Sequence, residues 1–342
     1  MKRLLSLLFV ILLAVGMTGC SSSSTTEEST ETTEDTPVTL VYAEVNPEST
    51  TVGQIAAAFK SKAEELSNGS ITIDVQYSGV LGAEGDVLDG MLAGSDEVQI
   101  ARISAFALSS YGASESTLLT LPYTFTSREH FWKFVNSEYG SEVLHEADDA
   151  LPIRSLFYGE EGFRHFFTKK EITSYKDLAG MKIRVSNDAV MNGMVEALGA
   201  TPTVVSFSEL YSALNSGVVD AAEQPITNYE SNSFPEVAPN LLLDGHTIGA
   251  IEIIISDSAW DSLSDNQKAA IEGAATYAQQ VDQEIAAQAE EESLARMKEA
   301  GVNIIEVSDA DKAEMQALCA DLISQYTTGD LKTLYDNIVG LK

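Results

Sequence analysis

The chain is 342 residues long and strongly acidic, with 52 aspartates and glutamates against 20 lysines and arginines and a formal charge of −32. That balance argues against nucleic acid as a partner, because phosphate binding needs basic surface. Cys20 and Cys319 are the only cysteines, and Cys20 lies at the end of a processing signal, so the folded body has no intramolecular disulfide available.

In chain order, Lys2 and Arg3 precede an apolar run over 4–17. That run falls short of the ~20 residues a membrane span takes, and fits a secretory h-region. The small residues of "MTGC" (17–20) resemble a bacterial lipobox, with Met17 where Leu is usual, so residues 1–20 are expected to be a lipoprotein signal with Cys20 as the lipidated residue. The stretch "SSSSTTEESTETTEDT" (21–36) has no apolar residue, cannot bury surface, and reads with Pro37 as a disordered tether over 21–37.

About 305 residues remain to fold, a length that usually makes two lobes. "VTLVYAEV" (38–45) reads as a buried strand. A helix follows with Val52, Ile55, Phe59, Ala63 and Leu66 on one face, stopping at Asn68-Gly69. "SITIDVQYS" alternates as a strand, "AEGDVLDGMLAG" reads as a helix, and "EVQIARIS" as a third strand. A helix near 127–137 has capping-box spacing between Thr126 and Glu129. Such strand–helix–strand units predict a mostly parallel sheet covered by helices.

In "GMKIRV" (180–185), alternation sets Met181, Ile183 and Val185 on one face and Lys182 and Arg184 on the other. An isolated Arg at a strand end is ordinarily solvated or ion-paired. "NDAVMNGMVEALG" is read as a helix capped by Asn187, and "SFSELYSALNSG" as a helix with capping-box spacing between Ser206 and Glu209. "VVDAAEQP" reads as a strand broken by Pro225. Arg184 and Gln224 thus fall at strand carboxyl ends, where open α/β sheets collect ligands.

Residues 264–301 carry capping-box spacing at Ser264 and Gln267 and no Gly or Pro between Gly273 and Gly301. A helical stripe of Ile271, Ala274, Ala278, Val281, Ile285, Ala289 and Leu294 runs along them. At ~35 residues a continuous helix reaches about 50 Å, longer than one lobe. It would brace both lobes, whereas two helices with an unmarked bend would not. Cys319, in "MQALCADLI", reads as a small core residue.

Catalytic motifs do not emerge. His130, His145, His165 and His246 have no zinc spacing, "GASES" lacks the last Gly of a nucleophile elbow, and "GVLGAEGD" lacks the Lys-Ser/Thr of a phosphate loop. The reading is a binding protein with no metal and no cofactor rather than an enzyme.

Three segments carry a family resemblance: "GFRHFFTKKEITSYKDLAGMKIRV", "LGATPTVVSFSELYSALNSGVVDAAEQP" and "WDSLSDNQKAAI". From about 38 to 342 the chain resembles the DctP-like solute receptors of tripartite ATP-independent periplasmic (TRAP) transporters. The resemblance implies an α/β, two-lobed periplasmic-binding-protein-like fold with an interlobe ligand cleft and a long helix spanning both lobes. Residues 38–161 with 250–290 would form lobe I, and 162–249 with 291–342 lobe II. It further implies an extracytoplasmic receptor that captures a small organic acid and passes it to small and large integral membrane subunits; with the lipobox at Cys20, a lipid-anchored monomer is expected.

Carried over by position, Arg184 would grip the ligand carboxylate with a planar fork of fixed charge. Arg164 would be a second cation, Phe207 would pack on the ligand, and Gln224 would stand in for a ligand-binding Asn. Ala221, Gln99 and Pro225 depart from common family residues. "ARIS" (101–104) and "NYES" (228–231) match a subgroup that often binds sugar acids such as hexuronates. This makes Glu84, Arg102, Glu44 and Asn46 candidates for hydroxyl contacts. The alternatives are a receptor for a C4-dicarboxylate or other carboxylate, a ligand-presenting sensory lipoprotein, and a surface hydrolase.

Overall fold

Two long strands organise the molecule. The computed structural model describes residues 35–342; the signal, Cys20 and the tether up to residue 34 lie outside the described residues. The strands are β1 (Val38–Ala43), β2 (Ile71–Gln76), β3 (Ile100–Ser104), β4 (Ile153–Thr168), β5 (Lys182–Val185), β6 (Thr201–Val204), β7 (Ala221–Pro225), β8 (Asn240–Ser256) and β9 (Asn303–Glu306). They form one sheet in the order β2-β1-β3-β8-β4-β7-β5-β6, with β9 also on β8.

The sheet is mixed rather than mostly parallel. β1 pairs parallel with β2 and β3, and β5 parallel with β6 and β7, as the strand–helix–strand pattern requires. Between these groups β4 and β8 run antiparallel to each other along nearly their whole length, β8 pairing on its other side with β3 and β4 with β7. Neither was legible as a strand, because Gly159, Gly162, Gly245 and Gly249 and the acids between them look like turns. In the fold these residues belong to a backbone buried on both faces, with register shifts at 155/157, 160/163 and 164/166.

The helix Asp265–Glu299 is continuous. Its capping box forms as expected: Gln267 N–H donates to Ser264 Oγ and Ser264 N–H to Gln267 Oε1, each at 3.1 Å. Its first half lies on the helix Thr51–Leu66, so closely that a Cβ on Gly273 would come within 2.7 Å of Leu66 Cδ1. Near its C-terminal end Arg296 pairs with Glu230 of the helix Ile226–Ser231 at 2.7 and 2.8 Å. Between these it crosses β4, and there the expected apolar stripe fails. Val281, Ile285, Ala289 and Leu294 are half-buried, whereas Asp282 and Ser293 are fully buried. Asp282 accepts the Glu160 backbone N–H at 2.6 Å, in the stretch of β4 where the ladder is irregular. A backbone donor needs a partner there, so a carboxyl replaces a methyl.

Helix starts differ slightly from expectation. The helix Arg128–Val135 is capped by Ser127 and the helix Ala189–Ala197 by Asp188 rather than Asn187, and Phe207–Glu209 is a 3-10 turn before the helix Leu210–Ser216. Leu66 is 44% exposed, at the end of a helix whose other expected core residues are buried. Cys319 is buried in a core that joins the 118–143 helices to 166–200 and 315–338.

Glu252 on β8 is buried without a cation, accepting hydrogen bonds from Ser155 Oγ at 3.0 Å and Ser116 Oγ at 3.4 Å. Burial pushes its carboxyl from the usual 4.5 up to about 8. The folded state therefore holds a proton that the unfolded chain releases across this window, and this group makes stability fall as pH rises from 4.5 to 8. Glu252→Gln, a neutral near-isostere, should match wild type at about pH 4 and exceed its melting temperature by about 2 °C or more at about pH 8.5. Parallel melting curves for the two proteins across pH would contradict this.

Candidate functional site

The carboxyl ends of β1, β3, β5 and β7 face one cavity of about 500 Å³. β5 delivers Arg184. Lys182, on the same strand face, is exposed, whereas Arg184 is only 2% exposed because the strand end turns into the cavity wall. Its Nε donates to Val205 O at 2.8 Å, and Nη1 has no hydrogen-bond partner. Among the described residues no carboxylate lies within salt-bridge distance of it. Burial lowers its pKa to about 10, with Arg164 adding in the same direction and Glu223 and Glu84 opposing. The side chain is still a cation at neutral pH.

The other two cations of the wall are already matched. Arg164 on β4 holds both oxygens of Glu223 through Nε and Nη2, the latter at 2.9 Å, and Glu161 through Nη1 at 3.4 Å, with its guanidinium 4.9 Å from the Phe106 ring centre. Arg102 on β3 donates to Glu84 and Glu161 at 2.8 Å each and lies 3.6 Å from Glu44. A chain of charge runs behind Arg164: Glu223 lies 3.5 Å from His246 Nε2, and His246 Nδ1 lies 2.6 Å from Asp244. Burial opposes ionisation of Glu223, but Arg164 and His246 outweigh it and hold the carboxyl at about 2. Likewise burial disfavours charged His246, but Asp244 and Glu223 carry its pKa up to about 9.

Of the residues singled out in the sequence, Arg184, Arg164, Gln224, Phe207, Glu84, Arg102 and Asn46 line this cavity. Glu44 does not. It sits behind the wall, where Asn46 donates to it from its backbone N–H at 2.8 Å and its Nδ2 at 3.1 Å. This leaves the Asn46 Oδ1 buried and unpartnered. Sequence reasoning did not place Glu161, Glu223 or Asn228 at the site. Glu161 and Asn228 line the cavity, and Glu223 fixes Arg164. The available signal was a glutamate inside the otherwise apolar strand "AAEQP", which demands a buried partner.

Opposite Arg184, Glu84, Arg102, Glu161 and Asn46 offer a wall of donors and acceptors. Chemically the site can take one net negative group at Arg184 and hydrogen-bond a polar body beside it. It has the form of a solute receptor: a ligand-sized crevice beside the two long strands that join both parts of the sheet.

The chain belongs to the DctP family, described as bacterial extracellular solute-binding protein, family 7, whose profile matches residues 42–329. It is 28% identical over 265 residues to the C4-dicarboxylate-binding periplasmic protein DctP of Rhodobacter capsulatus, covering 78% of this chain and 79% of that protein. Among solved structures, it is similar to a TRAP periplasmic solute-binding protein of Sulfurospirillum deleyianum with bound succinate (28% identity, TM-score 0.84, 90% of this chain and 100% of that one). A Pseudomonas putida F1 TRAP periplasmic solute-binding protein with bound D-glucuronate matches at 26% identity and TM-score 0.83, over 88% of this chain and 96% of that one. The fold is thus that of the two-lobed TRAP receptors.

An uncompensated buried guanidinium destabilises the empty protein. Arg184→Met, which keeps the stem and removes the charge, should raise the melting temperature of ligand-free protein by about 2 °C or more. A lowered melting temperature would mean that Arg184 is structurally satisfied.

Proposed function

We propose that this chain is the extracytoplasmic receptor of a TRAP transporter and that it captures a sugar acid, a hexuronate or aldonate, for delivery to small and large membrane subunits. The observation that carries the reading is Arg184, a buried cation in the cavity wall with a free Nη1 and no carboxylate of its own. A ligand carboxylate completes it with a charge-assisted, bidentate bond. The polar wall of Glu84, Arg102, Glu161 and Asn46 suits hydroxyls, and Gln224 and Asn228 add amides from the opposite side. The P. putida relative, with D-glucuronate bound, supports this ligand class.

A C4-dicarboxylate is the second reading, favoured by the succinate-bound relative. It fits less well, because a second carboxylate needs a second free cation, and Arg102 and Arg164 are bonded to glutamates.

The two lobes, 38–161 with 250–290 and 162–249 with 291–342, would close on the ligand by bending β4, β8 and the long helix together. A ligand shifts that equilibrium only by its preference for the closed form. On this reading the protein acts as a monomeric receptor rather than an enzyme, in keeping with a family described as solute-binding proteins. Lipidation at Cys20 would tether it, and Cys20→Ser should move it from the membrane fraction to the soluble one. Unchanged membrane association would remove the anchor.

Calorimetry with D-glucuronate, D-galacturonate, D-galactonate, succinate and glucose tests the ligand class. Sugar acids should bind and stabilise the fold, glucose should not, and Arg184→Ala should weaken sugar-acid binding at least about 100-fold, the cost of stranding a buried charge partner. Binding of succinate with no response to any sugar acid, or near-native affinity in Arg184→Ala, would overturn the reading.

A further inference from the structure

The cavity is larger than one sugar acid. A hexuronate has about 13 non-hydrogen atoms and fills roughly 200 Å³ at protein-like packing, whereas the cavity holds about 500 Å³. The surplus lies along a defined direction. On one side the cleft is bridged by hydrogen bonds between the helix Ala105–Ser110 and the segment after β5: Ser109 Oγ donates to Asp188 Oδ2 at 2.7 Å, and Ser110 Oγ donates to Asn187 O. A second recess of about 180 Å³ adjoins the cavity and shares Val45, Ala83, Glu84 and Phe207 with it. It begins two residues beyond Val205, the carbonyl that holds Arg184.

The chemistry of the recess differs from that of the cavity. Phe207 packs edge-on against Phe234, with ring centres 6.0 Å apart, and Tyr211 stands beside them, its hydroxyl turned to Glu236 at 3.0 Å. The facing wall is backbone and small side chains around Pro47 and Gly79. Among the described residues the recess has no cationic side chain, and its one charged lining residue is Glu84. An aromatic shelf opposite a small-residue wall suits the apolar face of a sugar ring, and the glutamate disfavours a second carboxylate.

We propose that the recess is a second sugar subsite and that the ligand is an acidic disaccharide with one carboxylate: a terminal uronate at Arg184 linked to a neutral sugar on the Phe207–Tyr211–Phe234 shelf. Two linked rings occupy roughly 400 Å³, which the cavity and recess accommodate together. This rests on the sugar-acid reading above and extends it.

The test is calorimetry on the full-length wild-type protein with D-glucuronate, cellobiouronic acid, glucuronosyl-xylose and digalacturonic acid. At least one of the two disaccharides bearing a single carboxylate should bind about 10-fold or more tighter than D-glucuronate, and digalacturonate should bind more weakly than either. Tyr211→Ala and the recess-filling Ser208→Trp, neither of which touches the main cavity, should bring disaccharide affinity down to that of glucuronate while leaving glucuronate affinity unchanged. Glucuronate binding with no gain from either disaccharide overturns the second subsite and leaves the sugar-acid receptor standing. So does equal loss of glucuronate and disaccharide affinity in both variants. Failure of every sugar acid to bind overturns both.

Discussion

The site is organised around one unbalanced charge. Three guanidiniums line the cavity, and two of them are held by glutamates that the fold supplies. The third, Arg184, has among the described residues only a backbone carbonyl. In a low-dielectric wall an unmatched cation is costly, and a small anion offsets that cost more completely than water at the cleft mouth. The neutralised arginines matter as much as the free one. Had Glu223 and Glu161 been absent, Arg164 would also have sought an anion, and the site would have suited a dicarboxylate. On the proposed reading, the carboxylates set the charge the receptor accepts, and the arginines set its geometry.

That balance depends on residues the ligand need not touch. Glu223 is kept ionised by Arg164 and His246, and His246 is kept charged by Asp244. All four lie on β4 and β8, which join the two parts of the sheet, and on the adjacent β7. The three guanidiniums are thus carried by strands β3, β4 and β5 rather than by loops, which fixes their positions closely.

The local elements were largely legible in the sequence. Strands β1, β2, β3, β5 and β7 and the helices between them show in their apolar periods, and Ser264 with Gln267 marks the start of the long helix. Arg184 and Gln224 could be placed at strand ends from pattern alone. What stayed hidden was long-range. β4 and β8 are buried on both faces, so the two-residue alternation that announces a half-exposed strand is missing, and their glycines and buried acids break the apolar run. For the same reason, nothing near Arg164 in the sequence points to Glu223, 59 positions away. Asp282 interrupts an apolar stripe because of a backbone donor on β4 rather than anything on its own helix.

The crossing of that helix over β4 has a mechanical consequence. A Cβ on Gly159 would come within 3.0 Å of Asp282 Oδ2, and one on Gly162 within 2.7 Å of Glu290 Oε2, while Gly162 also takes a positive φ of 97°. Bare backbone at these two positions lets the rod rest directly on the ribbon. A side chain at Gly162 would strain its left-handed backbone and displace the Glu290 carboxylate that Arg128 holds, loosening the seam between rod and ribbon.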